Sequence, residues 1–382
     1  MDNALRSFPE GIVVVSGSVG KSTTTKMVAT VIAAHGVNVY TNSTTGNIHQ
    51  GLVSDFIAQI SLSGKLPGDI AVLEMDEGQG SKIVANHDLR VALLNNVVRD
   101  QVERFHNPAK VVEYLEKIAK RATGAVVINH DDAALMGLVP GFKAPAHYFG
   151  ISESVYNELP DGLPLWRDNK DERLAVGQGV RVISSSQELV EYEISGKVYP
   201  AKLPLDGLHY AVDGAAAMCA AQQVLGDKFD ATTAIKALEN FETVFWRDEI
   251  LNIRGEHVRV LLFQNPASLY FNLKNVPADT EQLLFAFGEG DGNDLAYFWQ
   301  SDFSSLHQVT FATGEKAGEA ALMLGYAGCQ VDIVEPDLAK ALDDFLALPA
   351  PKNGMKTILS TFGMMWPMRH HLKTKHKVGA KK

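Results

Sequence analysis

Short apolar runs alternate with longer amphipathic stretches along the first third of the chain. The apolar runs are typical of strands buried on both faces of a parallel sheet, and they occupy 11–16, 37–40, 69–74, 91–95 and 125–129. Stretches with helical spacing of apolar residues lie between them, at 21–35 and 109–121. This β–α–β–α order predicts a parallel sheet that is covered by helices on both faces.

The pattern changes between about Pro145 and Pro204. Turn-forming residues cluster there, together with short β-rich runs at 179–184 and 189–194, so we expect a small antiparallel β-rich insertion. Helical spacing then returns in two stretches, 211–225 and 231–241.

A second α/β pattern begins near residue 246. Its strand-like runs are 259–263, 282–287, 308–312, 330–334 and 356–360, and helical segments lie between them. The chain is therefore predicted to form two α/β domains: a parallel-sheet domain over 1–245 that contains the insertion, and a Rossmann-like domain over 246–382.

Charge and cysteine content exclude several classes of protein. The formal net charge of −10 argues against a general nucleic-acid or membrane-surface binder, which carries excess Lys and Arg. The two cysteines can form neither a disulfide framework nor a cysteine-based zinc site. The first residues lack the apolar core of a signal peptide, and no apolar run approaches the ~20 residues that span a bilayer. We therefore expect a cytoplasmic protein. The tail from His370 to Lys382 is rich in Lys and His and is interpreted as a solvated end.

A glycine-rich loop lies between the first predicted strand and the first predicted helix. Glycines let backbone amides approach phosphate oxygens, and a helix N-terminus adds partial positive charge. Lys21 would reach the terminal phosphates, and the Ser22 hydroxyl would bind Mg²⁺. A chance glycine turn is the alternative, but the strand before the loop and the helix after it favour ATP with Mg²⁺. The predicted nucleotide-binding residues of this loop are Gly17, Ser18, Val19, Gly20, Lys21, Ser22 and Thr23.

A magnesium site also needs an oxygen ligand from a neighbouring strand end. Glu74 closes the predicted strand 69–74, and the carboxyl ends of parallel strands share one edge of the sheet with the loop. We therefore predict Glu74, with Ser22, as a metal ligand. Asp76 and Glu77 follow, either as further site residues or as surface carboxylates. Three polar residues follow the predicted strand 91–95, namely Asn96, Arg99 and Asp100. They either contact a ligand or cap the loop.

Read together, these motifs resemble the Mur ligase family. ATPase domains of that family begin with a Thr-Gly-Thr-x-Gly-Lys-Thr-Thr type run, which 16–23 matches. Within the family, the later motifs are most similar to those of the MurT-type synthetase subunits of lipid II isoglutaminyl synthase. The matching segments are 72–78 (VLEMDEG), 96–105 (NVVRDQVERF), 128–132 (INHDD), 245–249 (FWRDE), 264–266 (QNP) and 291–294 followed by Trp299.

The resemblance implies a Mur ligase-like ATP-binding domain and an amide-forming activity. ATP would phosphorylate the α-carboxyl of D-glutamate in lipid II, at the inner face of the membrane. Ammonia from a GatD-like glutamine amidotransferase would then attack the acyl phosphate. The implied catalytic residues are Lys21, Glu74, Arg247 and one of Asp291 and Asp294. The implied nucleotide contacts beyond the loop are Asn96, Asn129, Asp131 and Arg247.

Some of these roles have simpler alternatives. Arg247 could instead form a surface ion pair, and Asp291 or Asp294 could form a turn or cap a helix. In the resembled branch, one such aspartate completes the Cys–His triad of the amidotransferase.

The sequence departs from that branch at several points. The four-cysteine zinc ribbon is missing, and Gln264 stands where a lysine is usual. The His/Tyr-Asn-x-x-Asn motif, which helps to hold the nucleotide, ends at Asp213 and has lost both asparagines. Three other functions therefore stay open: a single-chain amino-acid ligase of the Mur or folylpolyglutamate type, a non-catalytic nucleotide-binding homologue, and a generic phosphate-loop NTPase.

Overall fold

The computed structural model describes most of the chain, in two compact units. The described residues are 2–42, 47–62, 64–99, 107–159, 162–186, 189–204, 207–241, 247–277, 280–289 and 295–378. Of the described residues, the first unit contains those from 2–99 and 107–241, and the second contains those from 247–378. Each unit has its own hydrophobic core.

The described part of the first unit is built on a nine-stranded sheet with the spatial order β2-β3-β1-β4-β5-β6-β7-β8-β9. All neighbours from β2 to β7 are parallel, as the β–α–β–α pattern predicts for most of them. The strands are β1 (Ile12–Ser16), β2 (Val39–Thr41), β3 (Ile70–Glu74), β4 (Leu89–Leu94), β5 (Ala122–Asn129), β6 (Ala146–Ile151), β7 (Val180–Ser185), β8 (Val190–Ile194) and β9 (Lys197–Ala201).

The segment predicted as an antiparallel insertion extends this same sheet. The prediction holds for the β7–β8 and β8–β9 pairs, which are antiparallel. It is wrong for β6, which is parallel to both β5 and β7. The first half of β6 is only partly buried and contains His147, so it lacks the continuous apolar run that marks the other parallel strands.

Helices cover the sheet of the first unit. They are α1 (Asp2–Leu5), α2 (Lys21–Ala34), α3 (His49–Gln59), α4 (Glu77–Ile83), α5 (Pro108–Ala119), α6 (Ala133–Met136), α7 (Glu153–Asn157), α8 (Leu208–Leu225) and α9 (Ala231–Glu239). Helix α8 packs against α2 and against β4 to β7. Alanine is the commonest residue on its buried face, and small side chains let the two helices approach closely. This packing fixes α2, whose N-terminus carries the glycine-rich loop.

The described part of the second unit is a six-stranded sheet with the order β10-β11-β15-β12-β13-β14. β10 and β11 form an antiparallel hairpin, and the other neighbours are parallel. The strands are β10 (Arg247–Ile253), β11 (Glu256–Phe263), β12 (Leu283–Ala286), β13 (Gln308–Thr313), β14 (Gln330–Glu335) and β15 (Lys356–Thr361), and the helices are α10 (Pro266–Asn275), α11 (Ala317–Tyr326), α12 (Leu338–Ala347) and α13 (Phe362–Lys375).

Hydrophobic cores cover both faces of this second sheet. One contains Phe263 and Phe285, and the other contains Leu342, Phe345 and residues of α13. The α/β fold with large parallel sheets that the apolar runs predict is confirmed. Within the described ranges, none of the helices is both long enough and apolar enough to cross a bilayer.

Candidate phosphate-binding site

The glycine-rich loop turns from the end of β1 into the start of α2. Gly20 immediately precedes α2 with φ 82°, a left-handed conformation that glycine adopts without strain. A Cβ atom there would lie 2.6 Å from Asp213 Oδ1, and one on Gly17 would lie 3.0 Å from the Asn96 nitrogen. Both positions therefore need glycine. The first amides of a helix have no intrahelical acceptor, and those of α2 lie at the point where the loop ends.

Asn96, predicted as a nucleotide contact, holds the loop in place. Its Oδ1 accepts the Val19 amide at 2.9 Å, and its Nδ2 donates to the Val19 carbonyl at 3.1 Å. The Asn96 carbonyl accepts the Ser18 amide at 2.9 Å, and the Val98 amide donates to Ser18 Oγ at 3.2 Å. The segment after β4 thus fixes the loop through backbone and side chain together.

Lys21 is engaged within the loop and with a buried carboxylate. Its Nζ donates to the Gly17 carbonyl at 2.6 Å and to the Ser18 carbonyl at 3.1 Å. It also pairs with Glu77 Oε1 at 2.8 Å, and the Glu77 side chain is only 3% exposed. Burial raises the pKa of Glu77, and the Lys21 charge opposes that rise. Glu77 is therefore a buried partner of the loop lysine rather than a surface carboxylate.

Two more buried carboxylates lie at and just after the end of β3. Glu74 Oε1 accepts Asn47 Nδ2 at 2.9 Å, and the Glu74 backbone makes two hydrogen bonds with the side-chain amide of Asn42. Asp76 caps α4 by accepting the Gln79 amide at 2.9 Å. Buried carboxylates need cations or several donors nearby, and hard oxygen ligands are those that Mg²⁺ prefers. The donor set at this edge, with the buried Ser22 in the first turn of α2, fits a magnesium ion.

A series of side-chain hydrogen bonds connects the first turns of α2 with α8 and with the residue after β4. Thr24 Oγ1 donates to Asp213 Oδ1 at 2.9 Å and accepts Asn95 Nδ2 at 2.8 Å. Asp213, which marks the departure from the His/Tyr-Asn-x-x-Asn motif, lies against Gly20. Sequence reasoning missed this contact with the loop, because Asp213 and Thr24 are 189 residues apart.

The end of β5 carries Asn129 and two adjacent aspartates with different partners. Asn129 Oδ1 accepts the Asp131 amide at 3.0 Å. Asp131 Oδ2 accepts the Ile151 amide at 2.9 Å, and its other oxygen is 4.0 Å from Arg173 Nη1. These contacts direct the Asp131 carboxylate towards β6 instead of the segment that holds the loop.

Asp132, the next residue, contacts the segment that holds the loop. Its Oδ2 accepts the Val97 amide at 2.7 Å, next to Asn96, and its Oδ1 accepts the Ala134 amide at 2.9 Å. Burial raises the pKa of Asp132 to about 7. The sequence shows two neighbouring aspartates but does not show which of them faces the loop.

The predicted site residues of the second unit are described only in part. The backbone of Arg247 begins β10 and pairs with Leu261, while its side chain lies outside the described part of the structure. Asp291 and Asp294 lie outside the described residues, as does Asp100. Their roles stay predictions.

Comparison with protein families identifies the first unit. The Mur ligase middle domain family matches residues 15–221, a span that contains the loop, the acidic strand end after β3 and Asp213. The MurT subunit of lipid II isoglutaminyl synthase (glutamine-hydrolyzing) from Streptococcus pneumoniae is 25% identical over 360 residues, covering 83% of this chain and 77% of that protein. The MurT subunit from Staphylococcus aureus strain COL is 24% identical over 365 residues, covering 87% and 81%.

Solved structures share the fold. A pseudomurein peptide ligase type C from Methanothermus fervidus superposes with a TM-score of 0.71 at 18% identity, covering 95% of this chain and 79% of that one. MurF ligase from Thermotoga maritima, in complex with ADP, gives a TM-score of 0.70 at 18% identity, with coverages of 98% and 81%. At this identity the likeness concerns the fold alone, and both units of the chain take part in it.

Proposed function

The chain belongs to the Mur ligase family of ATP- and Mg²⁺-dependent amide-forming ligases, and from that premise we propose that it is the synthetase subunit of a lipid II-amidating enzyme. In this proposal it activates the α-carboxyl of D-glutamate in lipid II as an acyl phosphate. Ammonia, released by a GatD-like glutamine amidotransferase, then forms the amide. The similarity to two MurT subunits over more than four-fifths of the chain supports this substrate class and this partner.

The observation that carries the proposal is the lysine-bearing loop beside buried carboxylates. Lys21 and Ser22 begin α2, and Glu74 ends the adjacent strand β3. Glycines with left-handed backbones hold the loop open for phosphate oxygens. A surface loop would need neither the buried Lys21–Glu77 pair nor the hydrogen bonds from Asn96.

We assign roles to these residues from their contacts. Bound ATP would supply the phosphoryl group, and Mg²⁺ would offset the charge that builds on it. Ser22 and Glu74 would hold the metal, and Lys21 would move from Glu77 to the terminal phosphates. Asn96 keeps the loop amides in position. Arg247 as a second phosphate contact, and Asp291 or Asp294 as the aspartate that serves the amidotransferase, complete the proposal.

The test uses the chain together with its glutaminase partner. The complex is supplied with ATP, Mg²⁺, glutamine and a lipid II-like muropeptide that carries D-glutamate with a free α-carboxyl. Amidated product is then measured by mass spectrometry. Lys21→Ala should lower turnover by at least about 100-fold, because a fixed charge on the transferred group provides several kcal/mol of barrier reduction. Lys65→Ala, an exposed lysine of the same unit, is the matched control and should keep full turnover.

Other outcomes would assign a different function. Turnover with a free amino acid and no glutaminase would identify a single-chain ligase of the Mur or folylpolyglutamate type. Tight ATP binding without hydrolysis under any of these conditions would identify a non-catalytic homologue. Equal activity of Lys21→Ala and the unmodified chain would remove the loop lysine from the mechanism.

A further inference from the structure

The second unit carries a cluster of metal-binding side chains that the ligase reaction does not use. Asp343, His371 and His376 each offer one ligand atom, and these atoms all lie within 4.8 Å of one another. We propose that these three residues form a binding site for a divalent transition metal such as Zn²⁺. The site lies in the helical layer formed by α12 and α13, and it is independent of the proposed ligase function.

The distances suit a metal with little rearrangement. His371 Nε2 and His376 Nε2 lie 3.0 Å and 2.8 Å from the same oxygen, Asp343 Oδ1. Two ligand atoms on one tetrahedral zinc ion, each bonded at about 2.0–2.2 Å, are separated by roughly 3.3 Å. Widening these two distances by about half an ångström would bring them to the separation found around a tetrahedral ion, and the two imidazole nitrogens already lie within 4.8 Å of each other.

The ligands are fixed by packed elements. Asp343 lies on α12 between Leu342 and Phe345, both fully buried, and Leu372 next to His371 is buried too. The His376 amide donates to the Leu372 carbonyl at 3.0 Å and ends α13. The His376 side chain is only 1% exposed. A metal site needs ligands with little freedom to move, and here both the helix faces and the helix end provide that restraint.

The positive charge beside the Asp343 carboxylate limits metal binding. Lys375 Nζ contacts the other oxygen, Oδ2, at 2.5 Å. That ammonium leaves Oδ1 facing the two imidazoles, but it repels a cation placed there.

The donor set selects the class of metal. Two imidazole nitrogens and one carboxylate oxygen suit Zn²⁺, Co²⁺ or Ni²⁺, whereas Mg²⁺ and Ca²⁺ prefer all-oxygen sites. Three protein ligands leave a further position for water. Such an ion would join α12 to the last turn of α13.

The experiment measures metal binding on the full chain after chelator treatment. Isothermal titration with Zn²⁺ should give one saturable site, and Co²⁺ should give the visible absorption bands of a low-coordinate ion with nitrogen ligands. His371→Ala and Asp343→Asn should each weaken Zn²⁺ binding by about 100-fold or more, since even the loss of an outer-shell partner costs 10–100-fold. His370→Ala, which removes the adjacent exposed histidine, is the matched control and should bind Zn²⁺ as before.

A fourth variant keeps the test decisive if the ligand variants fold poorly. Lys375→Met removes the competing ammonium and leaves all three ligands, so it should bind Zn²⁺ about tenfold more tightly. Absence of saturable binding in both the unmodified chain and Lys375→Met would overturn the site. Binding that is unchanged in His371→Ala and Asp343→Asn would do so as well, because the ion would then lie elsewhere.

Discussion

Asp131 and Asp132 are adjacent and chemically identical, but their carboxylates contact different segments of the chain. Asp131 is directed towards β6 and Arg173, and Asp132 binds the segment that holds the phosphate loop. Burial is the largest cause that raises the pKa of Asp131 to about 7. In an unfolded chain an aspartate titrates near 3.9. The folded protein therefore keeps a proton that the unfolded chain releases between about pH 4 and pH 7.

Asp131→Asn should change how stability depends on pH. The raised pKa of Asp131 adds to the free energy of unfolding of the unmodified chain. This stabilisation is complete below about pH 4 and is lost as the pH rises through about 7. Relative to the unmodified chain, the variant should therefore gain roughly 1–3 kcal/mol of unfolding free energy between pH 5 and pH 8. Urea unfolding at the two pH values measures this difference.

The control for this measurement is Asp171→Asn, an exposed aspartate of the same unit. It should show no such gain, because that side chain stays in contact with water when the chain folds. A gain of equal size in both variants would mean that the pH dependence does not arise from burial of Asp131.

The sequence indicated a glycine-rich loop with a lysine and nearby carboxylates, but it did not indicate which of these residues contact each other. The glycine-rich loop could be picked out as a candidate phosphate site because it is continuous in sequence and its glycines and lysine have fixed spacing. The partner of Lys21 was not predictable, since Glu77 lies 56 residues away beside two other carboxylates. Asn96 was identified as important, but its contacts with Val19 give it a positioning role that spacing does not reveal.

At the scale of elements, the turn from β1 into α2 depends on Gly20. Its left-handed backbone would strain any other residue, and an added methyl would also meet Asp213 Oδ1 at 2.6 Å. Gly20→Ala should therefore lower the unfolding free energy by about 2 kcal/mol or more and weaken binding of an ATP analogue. Denaturant unfolding and calorimetry measure the two effects.

Gly36 provides a matched comparison for Gly20. Its φ of 83° is nearly the same, but nothing lies within 4 Å of an added Cβ. Gly36→Ala should lower stability by only about 1 kcal/mol and leave nucleotide binding unchanged. Equal effects of the two substitutions would show that the contact with Asp213 is not what restricts the loop.

Elements were predictable where one physical signal dominated. Buried parallel strands such as β1 and β3 are continuous apolar runs, and the structure has them within one or two residues of the predicted bounds. β6 was misjudged because its first half is partly exposed. Helix α3 was not predicted, since only Leu52 and Phe56 among its residues are buried and its apolar periodicity is correspondingly weak.

At the scale of the whole molecule, the described hydrophobic cores of the first unit and of the second unit share no residue, which predicts separable unfolding. Phe285 is fully buried in the second unit, with ring contacts to Phe263, Phe287 and Phe303. Phe285→Ala should destabilise that unit by about 3–5 kcal/mol, because it leaves a large cavity. Hydrogen exchange read by mass spectrometry should show lost protection in peptides from 247–378 and retained protection in β1 to β5.

Ile32→Ala, in the core of the first unit, supplies the reciprocal case. It should lower protection in β1 to β5 and leave the second sheet protected. Equal loss of protection in both units after either substitution would mean that the chain unfolds as one cooperative body.

The family was predictable at this scale because several motifs occur in a fixed order along nearly the whole chain. The polar contacts between distant segments were not, since hydrogen bonds such as that from Thr24 to Asp213 depend on how α2 and α8 pack. Apolar periodicity predicts which faces are buried, but it carries no information about which polar groups meet across them.

The ion pair between Lys21 and Glu77 also bears on which anions can enter. A lone phosphate ion has to displace the carboxylate from the lysine, and it would leave Glu77 stranded without a counter-charge. Under the proposed function, a nucleotide that arrives with its own divalent cation would supply that counter-charge as it binds the lysine. The loop would then discriminate against simple anions before any other part of the ligand is recognised.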